Sequence, residues 1–110
     1  MDTYHELQLD ALGDPTRRAI LARLLRGPSP VGELADEFPI SRPAISQHLK
    51  ILRDANLVTQ TVDGTRRFYE INPDGFNSLR DFFDQFWSLG LDAFKSKVES
   101  RKPKKKKEKR

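Results

Sequence analysis

Cysteine is absent from the sequence. That excludes a disulfide framework, a thiolate metal centre and a redox-active thiol. Histidine occurs twice, as His5 and His48, so one chain cannot build a histidine-rich metal cluster. No apolar run approaches the roughly 20 residues that a membrane-spanning helix needs. Residues 1–6, Met-Asp-Thr-Tyr-His-Glu, are acidic and polar, unlike a secretory signal, and a cytoplasmic location is expected. There is also no glycine-rich phosphate loop and no pair of carboxylates at an obvious cleft. The parts of an enzyme active site are missing, and neither a cofactor nor a membrane partner is expected.

What is present suits one small domain. The chain has 110 residues, 36% of them hydrophobic, enough for a modest core that a second chain could complete. The net charge of +4 is unevenly spread. Residues 101–110 hold eight of the 20 Lys/Arg and one of the 16 Asp/Glu, a local net of +7, so the other hundred residues are net −3. The high pI therefore comes from a Lys-rich tail. What matters for partners is where the basic residues of the folded part sit. The expected organisation is a domain over residues 1–100 and a disordered tail over 101–110. That tail would attract phosphate without sequence preference, act as a nuclear-import signal or serve only solubility.

Local signals give an order of elements. Leu7, Leu9, Ala11 and Leu12 mark a short helix over residues 6–12. Asp14 is a good N-cap and Pro15 a good first residue for a second helix over 15–26. Its apolar face is Ala19, Ile20, Leu21, Leu24 and Leu25. Gly27-Pro28-Ser29-Pro30 breaks the chain. A third short helix over 31–37 turns Val31, Leu34, Ala35 and Phe38 inward. Ser41 caps a fourth helix running to about residue 55, with Ile40 and Ile45 at the spacing of a hydrophobic staple. Pro43 falls in its first turn, where a missing N–H costs little. Asn56 can end it in left-handed geometry. Residues 58–62 and 65–71 read as two strands joined at Asp63-Gly64. A long last helix over 76–98 follows. The fold class is mainly α with a small β-hairpin, and the layout is that of a winged helix-turn-helix.

The fourth helix is the informative element. On a helical wheel Ala44, Ile45, Leu49, Ile51, Leu52 and Ala55 share one arc, while Arg42, Pro43, Ser46, Gln47, Lys50, Arg53 and Asp54 fill the other. Ser46 and Gln47 are short and neutral enough to bond base edges. Arg42 can reach a guanine edge or a phosphate, and Lys50 a phosphate. His48 lies near the edge of the apolar arc and suits either a packed structural residue or a phosphate contact. Arg66 and Arg67, at the exit of the hairpin tip, point to opposite faces of a strand, so one can meet a DNA backbone. Residues 41–72 hold five basic and three acidic side chains. The candidate DNA-binding set is therefore Arg42, Pro43, Ser46, Gln47, His48, Lys50, Arg66 and Arg67.

The last helix carries Phe76, Leu79, Phe83, Phe86, Gly90 and Phe94 at spacings of three and four, widened by Phe82, Trp87, Leu89 and Leu91. A partner helix from a second subunit would cover so wide a stripe; an intramolecular core or an apolar-ligand pocket are the rival readings. The candidate dimer interface is Leu9, Leu12, Leu79, Phe83, Phe86, Trp87 and Phe94. Two recognition helices related by a two-fold axis would read an inverted repeat.

Several stretches resemble the ArsR-like (ArsR/SmtB) family of winged helix-turn-helix repressors. They are residues 11–18 (ALGDPTRR), 33–35 (ELA), 41–52 (SRPAISQHLKIL), 55–58 (ANLV) and 64–71 (GTRRFYEI). The resemblance covers residues 6–72 well and the last helix in character only. It implies a homodimeric, sequence-specific repressor on double-stranded DNA, with first and last helices at the dimer interface and the recognition helix at 41–52. Many members release DNA on binding a metal or metalloid. Their cysteines would fall near Pro30 and Gly32 here, and neither side chain can ligate a metal. The last helix has no histidine, and Asp81, Asp84 and Asp92 read as its solvated face. The chain is thus similar to the metal-free, autorepressor-type members. The alternative is a winged-helix module for protein–protein or RNA contact.

Overall fold

The computed structural model describes residues 3–105, with side chains over 5–100. Its elements are α1 (Thr3–Leu12), α2 (Pro15–Leu24), β1 (Ser29–Pro30), α3 (Val31–Glu37), α4 (Arg42–Asp54), β2 (Val58–Asp63), β3 (Arg66–Ile71) and α5 (Pro73–Lys105). The chain divides into two compact units, Met1–Leu79 and Arg80–Arg110. No helix is long and apolar enough to cross a membrane among the described residues.

In the first unit local chemistry sets the helix ends. Asp14 accepts a bond from the Arg17 backbone N–H at 3.0 Å, and Pro15 opens α2. Ser41 accepts from the Ala44 N–H at 3.2 Å and so caps α4. At the other end of α4, Leu57 N–H reaches the Leu52 carbonyl and Asn56 N–H the Arg53 carbonyl, with Asn56 at φ 63°. This pair of bonds is a Schellman motif, and Asn tolerates its left-handed residue. Helix α5 begins at Pro73, three residues before its expected start, because Asn72 acts as its cap: the Asn72 side chain accepts from Asp74 N–H at 3.2 Å. It extends to Lys105, over the first residues of the expected tail. The rest of that tail, 106–110, lies outside the described residues.

The sheet has three strands in the order β1-β3-β2, all antiparallel. The expected hairpin is present, but its two-residue loop is Gly64-Thr65, one residue later than expected, since Asp63 pairs with Arg66. Gly64 stands first in that loop at φ 67°, the position where a type II′ turn needs glycine. The third strand was not expected. Ser29 pairs with Tyr69 and Pro30 with Phe68, and the proline is tolerated because β1 is an edge.

The core of this unit is Ile20, Leu34, Ile45, Leu49, Leu52 and Leu57, all fully buried, with Leu21, Leu24, Val58 and Tyr69 around them. Ile40, ahead of the Ser41 cap, packs against this cluster as a staple should. On α2 the buried face is narrower than expected, because Ala19 and Leu25 are exposed. The core positions α4 through its apolar arc, and its opposite arc stays in solvent.

A buried amide ties the end of α4 to two other helices. Gln8 of α1 is wholly buried; its Nε2 donates to the Ala55 carbonyl at 3.3 Å and to the Gly75 carbonyl at 3.1 Å. Gly75 has no alternative here: a Cβ would sit 1.7 Å from the Asn56 carbonyl oxygen. Asn72 closes the junction by donating from Nδ2 to the same carbonyl at 3.0 Å. A buried amide that lost these bonds would cost on the order of 1–3 kcal/mol.

The second unit, Arg80–Arg110, is helical as far as it is described. Phe86, Trp87, Leu89 and Phe94 are each more than 60% exposed. Phe82 meets Phe83 edge-on and stacks with Phe86, with ring centroids 5.8 and 6.3 Å apart.

Candidate nucleic-acid interface

Helix α3, the turn at 38–41 and helix α4 form the helix-turn-helix, and the β2–β3 hairpin forms the wing. Between α3, the first turns of α4 and the wing lies an open groove of about 640 Å³. Arg42, Ser46, Thr65, Arg66 and Arg67 line it, so residues far apart in sequence converge on one surface.

The predicted α4 residues divide by surroundings. Arg42, Pro43, Ser46 and Gln47 are exposed. Among the described residues none offers Arg42, Ser46 or Gln47 a hydrogen bond or ion pair, so their polar atoms are free for a ligand. Lys50 is exposed and bound to Asp54 one turn on, at 2.9 Å. Arg53 is tied to the Gln60 side chain on β2.

His48 is half-buried and turned toward α2. Its Nδ1 lies 3.4 Å from the Arg17 guanidinium. Arg17 in turn donates to the Ala11 carbonyl at 2.8 Å and the Asp10 carbonyl at 3.2 Å. A guanidinium cannot accept a bond, so Nδ1 is the acceptor and the ring is arranged as a structural neighbour of α2. The backbone N–H of Arg17 holds the Asp14 carboxyl below its ordinary pKa of 3.8, helped by the positive charge of Arg17.

On the wing the two arginines differ. Arg66 lies with its guanidinium carbon 5.0 Å from the Phe68 ring centroid and one nitrogen 3.3 Å from Glu33 of α3. Arg67 has no hydrogen-bond or ion-pair partner among the described residues. Glu33 and Asp36 also line the groove. Sequence reasoning missed them, because it counted charge over residues 41–72 and α3 lies outside that window.

Of the predicted interface residues, Leu79 is buried in the first unit's own core and is not available as a surface. Leu9 and Leu12 are half-buried on α1, and Phe83, Phe86, Trp87 and Phe94 are exposed.

Pro30 and Gly32 line the groove without ligating side chains, and no group of three His, Cys, Asp or Glu is placed to hold an ion among the described residues.

The family model for bacterial regulatory proteins of the arsR family matches residues 14–60, which span α2, α3, α4 and the start of the wing. A solved ArsR family transcriptional regulator is similar at 32% identity and a TM-score of 0.73, over 80% of this chain and 97% of that one. The chain belongs to the arsR family. The chain is also similar to an HTH-type transcriptional regulator of Mycobacterium tuberculosis, 47% identical over 91% of this chain and 95% of that protein. Another is the transcriptional repressor SdpR of Bacillus subtilis, 37% identical over 68% of this chain and 88% of that protein. The chain is therefore a DNA-binding transcriptional regulator with a winged helix-turn-helix fold, and not an enzyme.

Proposed function

We propose that this arsR-family regulator represses transcription as a homodimer on an inverted-repeat operator, and that its release from DNA does not depend on a metal ion. The observation that carries the reading is the hydrophilic arc of α4: Arg42, Ser46 and Gln47 are exposed and unpaired, beside Arg67 of the wing. Helix-turn-helix domains read base edges with the first turns of this helix, where these residues lie. Ser46 and Gln47 offer the neutral donors and acceptors that base edges need, and Arg42 the charge for a guanine or a phosphate. Lys50, Arg66 and Arg67 serve the backbone. His48, bound to Arg17, positions the helix.

The homodimer is supported by the exposed aromatic residues of Arg80–Arg110, since so much apolar surface marks an interface. Leu9 and Leu12 extend the same role to α1. Two copies place two α4 helices on one face of a duplex, with half-sites about one helical turn apart or a multiple of that. The absence of metal dependence rests on the missing donors at positions 30 and 32. A cytoplasmic location follows from the role.

Footprinting of the purified protein on DNA upstream of its own gene, at two salt concentrations, tests the reading. A protected palindrome is expected, surviving the higher salt better than background binding does. Weak, sequence-independent binding with no protected site would favour a module for protein or RNA contact instead.

A further inference from the structure

The groove that offers cations to DNA also contains its own anion. Glu33 Oε2 lies 3.3 Å from Arg66 Nη2, and both side chains are more than half exposed. Phe68 supports the same guanidinium from its ring face. Arg42 and Arg67 line the same groove without an ion-pair partner among the described residues. One of the three arginines is thus neutralised by the protein itself. Asp36 lines the groove as well, with no ion pair to any of them among the described residues.

A carboxylate and a phosphate present the same acceptor chemistry to a guanidinium. They compete for Arg66. We propose that Glu33 is a built-in competitor of the DNA backbone, withholding Arg66 and so setting how tightly the wing holds any duplex. This inference rests on the reading of the wing as a phosphate-contacting element. Phosphate contacts carry no sequence information, so Glu33 lowers affinity for all sequences by one factor and leaves the choice among them unchanged. Its position on α3, and not on the wing, makes the competition depend on the hairpin staying folded against the helix-turn-helix.

Binding of the full-length chain to a random-sequence duplex, followed by fluorescence anisotropy across a salt series, tests this. Glu33→Gln is expected to tighten binding by about two- to five-fold, the range that releasing an exposed ion pair allows. The slope of log K against log salt should steepen by about 0.9, the increment for one further phosphate contact on B-DNA. In an Arg66→Ala background the same substitution should keep only the smaller gain that removing one groove charge gives, and the steeper slope should be lost. Asp36→Asn removes an equal charge from the groove and should give a smaller gain that Arg66→Ala does not abolish. Weaker or unchanged binding by Glu33→Gln would overturn the competitor role, as would an equal gain with Arg66 absent. Arg67→Ala separates the two levels of the argument. If it weakens binding while Glu33→Gln has no effect, the wing contacts DNA and only the competitor role fails. If Arg66→Ala and Arg67→Ala both bind as the parent does, the wing reading itself fails.

Discussion

The two compact units treat apolar side chains in opposite ways. In Met1–Leu79 the apolar side chains of the helices and the sheet close over one another, and thirteen hydrophobic residues are buried among those described. In Arg80–Arg110 none of the described side chains is buried, although the segment holds Phe82, Phe83, Phe86, Trp87 and Phe94. The first unit carries within one chain the packing that presents Arg42, Ser46 and Gln47 on α4. A solitary helix has little stability in water beyond its propensity, and the second copy proposed above would cover these exposed aromatics. Composition alone does not separate the two cases; the geometry of closure does.

The contrast can be broken most directly at the core. Leu49→Ala should destabilise the first unit by about 2–5 kcal/mol, read from denaturant unfolding, because it empties a site shared by α4 and its supporting helices. A loss near zero would mean that the α4 core does not hold the unit. Trp87→Ala should leave that unfolding free energy of the first unit almost unchanged, yet weaken self-association at least tenfold, which is about 1.4 kcal/mol. Sedimentation that found the association intact would show that the exposed face has another use. Gln47→Ala and Arg42→Ala should each lose about 1–3 kcal/mol at the cognate site and little on random duplex. Equal losses on both kinds of DNA would move these residues from base reading to backbone contact.

The smallest effect expected is in acid. Asp14 caps α2 with a carboxyl held below pKa 3.8, so the folded state favours its ionised form. That contribution is complete above the unfolded value and disappears as pH falls through the lower folded value. Asp14→Asn should therefore show a flatter fall in stability below pH 3.8 than the parent, measured by thermal melts across acid pH. Identical profiles would show that the cap makes no pH-dependent contribution.

Much of this molecule was legible in its residues. Asp14, Ser41 and Asn56 sit at helix ends, and their capping depends only on the next few residues. The wheel of α4 separated Ile45, Leu49 and Leu52 from Arg42, Ser46 and Gln47 correctly, because helical period alone sorts them. Where the reading slipped, the deciding partner was distant or the local signal ambiguous. Asp63-Gly64 and Gly64-Thr65 are both acceptable two-residue loops, and strand register chose the second. Gly75 fell just before the expected start of the last helix at residue 76, while its tight approach to Asn56 makes glycine a requirement of the first turn of α5. Ala19 and Leu25 had the composition of a buried face but stay exposed among the described residues.

From the order of its residues alone, this protein had most of its helix ends, its amphipathic fourth helix, its hairpin and the absence of metal-ligating cysteines. Those features depend on neighbours within a turn or a strand pair. Tertiary structure alone decided that Ser29 and Pro30 become a strand, that Gln8 is buried, and that Glu33 meets Arg66. Those contacts join residues 33 to 67 positions apart, and only the closing of the chain over its core brings such groups within bonding distance.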